Sequence, residues 1–132
     1  MHNSTLIYPM LAHLLWVVLL YMALTVVRAP AVWGIGRKNL SDAELDRLEK
    51  KVSANLSNQF EWPLLFYVIC VLLLISEPVA TVQIWLAWLF FVGRVIHSGV
   101  QIFTENIRLR GVIFTINFVA VLLMWANYVY RA

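Results

Sequence analysis

The chain has 132 residues, 62% of them hydrophobic and 13% charged, where an ordinary soluble domain carries about 25% charged residues. That length allows one domain over 1–132 and excludes a separate soluble catalytic module. The single cysteine, Cys70, excludes an intrachain disulfide, and the meaning of the net charge of +3 depends on where the charges sit.

In chain order, Leu6 to Val27 is the first apolar run, broken only by His13 and small hydroxyls. It lacks a basic leader and is too long for a signal-peptide core, so it reads as a mature span. "SDAE" at Ser41 to Glu44 has the form of a capping box, and Leu45, Leu48, Val52 and Leu56 continue an apolar stripe at helical spacing. Trp62 to Ile75 is apolar but rises only about 21 Å, short of the roughly 30 Å hydrocarbon core, so the second span must begin near Leu56. One long helix from Ser41 to Ile75 is expected. The apolar run ends at Ser76, Glu77 and Pro78, and Val79 to Phe103 and Gly111 to Tyr130 complete the set. The expected fold is an all-α integral membrane protein, a four-transmembrane-helix bundle. Its spans lie at 6–27, 56–76, 79–103 and 110–130, and a helical extension at 41–55 projects into the cytoplasm.

Basic residues set the orientation. Arg28, Arg37, Lys38, Arg47, Lys50 and Lys51 lie between spans one and two, Arg108 and Arg110 between three and four, and only Arg131 on the other side. By the positive-inside bias both basic loops are cytoplasmic and both termini lie outside. The tryptophans suit interface belts and packing.

This topology sinks several polar groups into the bilayer slab. Glu61 falls about 8 Å, and Arg94 roughly 13 Å, inside the cytoplasmic face. Buried charges in membranes pair or line cavities, so Arg94 and Glu61 are expected to meet. Arg94, His97 and Gln101 stack along one side of the third span, Asn58 and Glu61 lie one turn apart on the second, and Arg110 shares a face with Asn117 on the fourth. Donors exceed acceptors there, which suits an anionic, hydrogen-bonding ligand. Plainer roles stand beside this one: a structural Arg94–Glu61 pair, a core His97, a snorkelling Arg110, and Asn117 and Asn127 as interhelical hydrogen bonders. No metal-ligand spacing, phosphate loop or nucleophile–base motif appears.

With "NQFE" opening the second span, "GRVIH" within the third and an arginine opening the fourth, the chain resembles the membrane-associated proteins in eicosanoid and glutathione metabolism, the MAPEG family. It looks like a bacterial, microsomal glutathione transferase-like member, which implies a multi-pass protein of the inner membrane with periplasmic termini. The resemblance covers nearly the whole chain. It further implies a homotrimer with glutathione, as co-substrate, between neighbouring subunits near the cytoplasmic face. Asn58 and Glu61 would hold its peptide backbone, Arg94, His97 and Gln101 would form one wall, and Arg28 would approach from the adjoining subunit. Arg110 would stabilise the thiolate, and Lys51 would meet a carboxylate.

Ala54 and Ser57 stand where active members carry arginines, and Gln101 and Phe114 replace tyrosines. The implied activity is a transferase or peroxidase acting on lipophilic electrophiles through glutathione or a related thiol. The alternatives are a non-catalytic binding or scaffold protein of the same fold and a small proton-coupled transporter using Glu61. The expected partners are its own copies, lipids and a lipophilic small molecule, and no nucleic acid.

Overall fold

The computed structural model describes residues 3–35, 41–76 and 78–132. Arg37 and Lys38 of the first basic loop, and Glu77 at the end of the second apolar run, lie outside them. After a short 3-10 turn at Asn3–Leu6, the elements are α1 (Ile7–Trp33), α2 (Asp42–Asn58), α3 (Trp62–Ile75), α4 (Thr81–Phe103) and α5 (Ile107–Arg131). Four helical segments are long and apolar enough to cross a membrane, with α2 and α3 together forming the second. The protein is an all-α membrane four-helix bundle.

Helix α1 ends where Gly34 adopts a left-handed conformation (φ 66°) and its N–H reaches the Pro30 carbonyl at 3.1 Å. Helix α2 starts on the complete capping box expected at Ser41: the hydroxyl accepts from the Glu44 N–H, and the Glu44 carboxylate accepts from the Ser41 N–H at 2.9 Å.

The second span is not the single long helix expected from Ser41 to Ile75. It breaks at Gln59–Glu61. The cause is Pro63, at the start of α3. In a continuous helix its missing N–H would have served the Gln59 carbonyl, and its ring would clash with that group. The chain instead tightens, with the Gln59 N–H bonding the Leu56 carbonyl and the Phe60 N–H the Ser57 carbonyl, both at 3.0 Å.

Two apolar clusters hold the bundle. One joins Leu6 to Phe66, Ile69 and Cys70 of α3, Ala87 and Phe90 of α4 and Val121 and Met124 of α5, with the Phe66 and Phe90 rings stacked at 4.1 Å. The other joins Val17, Leu20 and Leu24 of α1 to Val52 and Leu56 of α2. A buried polar layer containing His13, Gln59, Arg94 and Ser98 lies between them along α1, the second span and α4.

Helices α4 and α5 approach closely at Gly93, where an added Cβ would stand 1.9 Å from the Asn117 Oδ1. Asn117 is fully buried, and neither of its amide atoms has a hydrogen-bond partner. It is therefore not the interhelical hydrogen bonder expected. Its side chain is packed against the glycine. Asn127 does fit that expectation, accepting from the Gln83 Nε2 of α4 at 3.2 Å.

Candidate functional site

The break in the second span determines what Arg94 does. A helix end inside a membrane leaves carbonyls without intrahelical partners and the negative end of a dipole facing inward. Arg94, fully buried, answers both: its Nη2 donates to the Asn58 carbonyl at 2.9 Å and its Nε to the Gln59 Oε1 at 3.1 Å. Glu61, the partner expected from matching depths, is exposed, forms no cap to α3 and makes no ion pair with Arg94 among the described residues. Depth alone misassigned the pair because it assumed an unbroken helix. The turn at Gln59–Glu61 leaves the carboxylate exposed, where it acts on Arg94 through charge without an ion-pair contact, and offers backbone oxygen for the direct bond.

Around Gln59 the polar layer closes on itself. The His13 Nε2 meets the Gln59 Oε1 at 3.1 Å and its Nδ1 the Tyr67 hydroxyl at 2.8 Å. The Gln59 Nε2 donates to the Ser98 hydroxyl at 3.2 Å, which also accepts from the Trp16 indole at 3.1 Å. The Asn55 Nδ2 donates to the Gln101 Oε1 at 2.9 Å, and the Asn58 Nδ2 to the same oxygen at 3.2 Å. Sequence reasoning missed most of this layer. Its signals were Asn55 and Gln59, one helical turn apart, and His13 on the facing span, each a polar residue at membrane depth that requires a partner.

Beside this closed layer lies an open one. Asn58, His97, Gln101, Arg110 and Phe114 line a cavity of about 320 Å³. A second cavity of about 270 Å³ shares Gln101, Ile107 and Arg110 and adds Lys50, Lys51 and Ala54. Both fall close to the lower end of small-molecule sites, roughly 300–1,000 Å³. The short α4–α5 connection places Arg110 there. The Asn106 Oδ1 accepts from the Leu109 N–H at 3.0 Å and caps α5, which starts the helix just below the cavity.

Among the described residues Arg110 has no ion pair, and the buried His97 Nδ1 has no hydrogen-bond partner. Lys51 is engaged: it and Arg47 bind the Glu105 carboxylate, and together they hold that carboxyl below the usual carboxylate range. The structure thus brings Lys51, Asn58, His97, Gln101 and Arg110 to one place. Arg94 stands behind the wall, holding the Asn58 backbone. Arg28 lies apart, paired with Glu49 at 2.7 Å, and Glu61 faces outward.

The donor set can receive an anion. Its cations and amides converge from three helices, and one imidazole nitrogen and one guanidinium remain uncommitted. Glutathione is compatible with that set at the level of charge and of cavity size.

Compared with known proteins, the chain matches the family model of the MAPEG family over residues 6–130. No curated protein and no solved structure matches it.

Proposed function

The chain belongs to the MAPEG family, and on that premise we propose that it is a membrane-bound transferase or peroxidase that uses glutathione or a related thiol against lipophilic electrophiles. Family membership supports glutathione-related membrane chemistry. The finer reading rests on one observation: the unpaired Arg110 in a cavity with Asn58, His97 and Gln101. A guanidinium beside a thiol favours the thiolate, and the thiolate is the nucleophile. The proton goes to solvent, sulfur bonds the electrophilic carbon, and the leaving group departs with the displaced electron pair. Phe114 and Gly111 border the cavity and are exposed on α5, which gives an apolar electrophile a route from the lipid.

In this reading Asn58, His97 and Gln101 bind the thiol peptide, and Lys51 meets a carboxylate after exchanging Glu105 for it. Arg94 is a positioning residue. Glu61 and Arg28 are exposed on the single chain, where they can complete the site between copies of a homotrimer. In this reading the excess of Lys and Arg in the two loops supports a site at the cytoplasmic face with both termini on the other side. The likeness to bacterial members supports an inner membrane and periplasmic termini.

One observation favours a second reading, a non-catalytic binding protein. The Asn58 amide is already bonded to Gln101, Lys51 to Glu105, and Ala54 brings no charge to the second cavity.

Arg110 decides between them. Thiolate absorbance in the ultraviolet with saturating glutathione near neutral pH should be present in the wild type, absent in Arg110→Ala and weak in Arg110→Lys, because lysine lacks the planar multi-donor fork. An unchanged signal in Arg110→Ala removes the residue from the mechanism. No signal in the wild type selects the binding protein.

A further inference from the structure

Four residues of α5 line the Arg110 cavity: Ile107, Arg110, Gly111 and Phe114. Their spacing of i, i+3, i+4 and i+7 places them on one face of the helix, with Gly111 at its middle. A glycine there needs a reason, because only proline is a poorer helix former. Its backbone does not demand it: among the described residues Gly34 is the glycine with positive φ. Packing does not demand it either. A Cβ at Gly93 would stand 1.9 Å from Asn117, whereas one at Gly111 would meet nothing within 4 Å beyond its sequence neighbours and its own helix backbone. The gap at Gly93 is filled by another helix, and the gap at Gly111 is open.

Its surroundings define what fits. Arg110 precedes it, and Asn58 of α2 with His97 and Gln101 of α4 line the same cavity. One turn further along the span, Phe114 is 40% exposed. The Phe114 and Phe118 ring centroids lie 6.3 Å apart, and Phe118 stacks on Trp62 of α3 at 4.4 Å. The gap therefore joins the polar donors to a strip of aromatic surface, which receives a further ring by offset or edge contact.

We infer that Gly111 determines which electrophiles the cavity admits. It leaves room for a ring carried directly on the reacting carbon, and Phe114 supplies the surface against which that ring lies. The substrate class is an apolar arylmethyl compound with a leaving group on its benzylic carbon. The inference rests on the thiol-transferase reading. The thiolate sulfur beside Arg110 bonds the benzylic carbon as the bond to the leaving group breaks, the electron pair departs with that group, and the ring stays on sulfur over Gly111.

Calorimetry on the full-length protein in detergent tests this with the product-shaped probes S-methylglutathione and S-benzylglutathione. Wild type should bind the benzyl conjugate at least as tightly as the methyl one. Gly111→Ala should lower the benzyl-to-methyl affinity ratio roughly tenfold, the scale on which one extra methyl overpacks a fitted site. Gly111→Leu should lower it further. Gly111→Ala should also melt a few degrees higher than wild type, since alanine favours the helix and meets no neighbour. A ratio that stays the same in both variants overturns the role of Gly111 and leaves the thiol reading standing. A lower melting temperature or a changed oligomeric mass for Gly111→Ala shows that the gap is filled by the chain or by another copy, and also overturns it. Wild type that binds neither conjugate nor glutathione overturns the thiol reading and this inference together.

Discussion

Two polar regions share the same half of this membrane bundle and are built on opposite principles. Around Gln59, most buried polar groups find a partner within the chain: His13 with Tyr67 and Gln59, the Arg94 Nε and Nη2 with Gln59 and the end of α2, Ser98 with Trp16 and Gln59. The Arg94 Nη1 is the exception. Around Arg110, on the other side of Asn58 and Gln101, the guanidinium forms no ion pair and the His97 Nδ1 no hydrogen bond among the described residues. A polar group in a membrane that is satisfied internally belongs to the fold. One that is left open on the wall of a cavity is available to a ligand.

The sharpest way to break that comparison is Gln59→Leu. It strips the acceptor from the Arg94 Nε and the His13 Nε2 and leaves a buried guanidinium under-compensated. The expected loss is about 3–5 kcal/mol, as for other broken buried charge partnerships. Adding Arg94→Leu should recover part of it. Glu61→Ala, exposed and unpaired within the chain, should change stability by only about 0.5 kcal/mol. Denaturant unfolding in detergent measures all three, and equal losses for Gln59→Leu and Glu61→Ala would restore Glu61 as the true partner of Arg94.

A smaller effect is expected at Gly93→Ala. The new methyl would overlap the Asn117 amide, which is fully buried and has little room to rotate, so overpacking should cost about 1–3 kcal/mol. Gly93→Ala with Asn117→Ala should be milder than the single change. A single variant as stable as wild type would show that the α4–α5 contact is looser than the structure has it.

The smallest expected effect sharpens the open region. Glu105 holds Lys51 away from the cavity, so Glu105→Gln should modestly tighten glutathione binding at neutral pH, as read by calorimetry. The pH sign follows from its lowered carboxyl. The contact contributes above the unfolded-state value and is lost as pH falls through the lower folded-state value. The difference between wild type and Glu105→Gln should therefore shrink in acid. A difference that persists there would place Lys51 outside the site.

Much of the fold is legible in the amino-acid sequence alone. Four spans, the capping box at Ser41 and the all-α class follow from hydropathy, length and local hydrogen bonding, which depend on neighbours in sequence. Pro63 is equally legible as a helix breaker, and overlooking it turns a broken span into a continuous one. The polar residues at membrane depth can be named, because each is costly alone wherever the chain folds. Their partners cannot. Whether Arg94 meets Glu61 or the end of α2, and whether Asn117 bonds or merely packs against Gly93, depends on the azimuth of each helix after a break. That azimuth follows from packing between spans far apart in sequence, so linear spacing places a side chain in depth and leaves its direction to the tertiary structure.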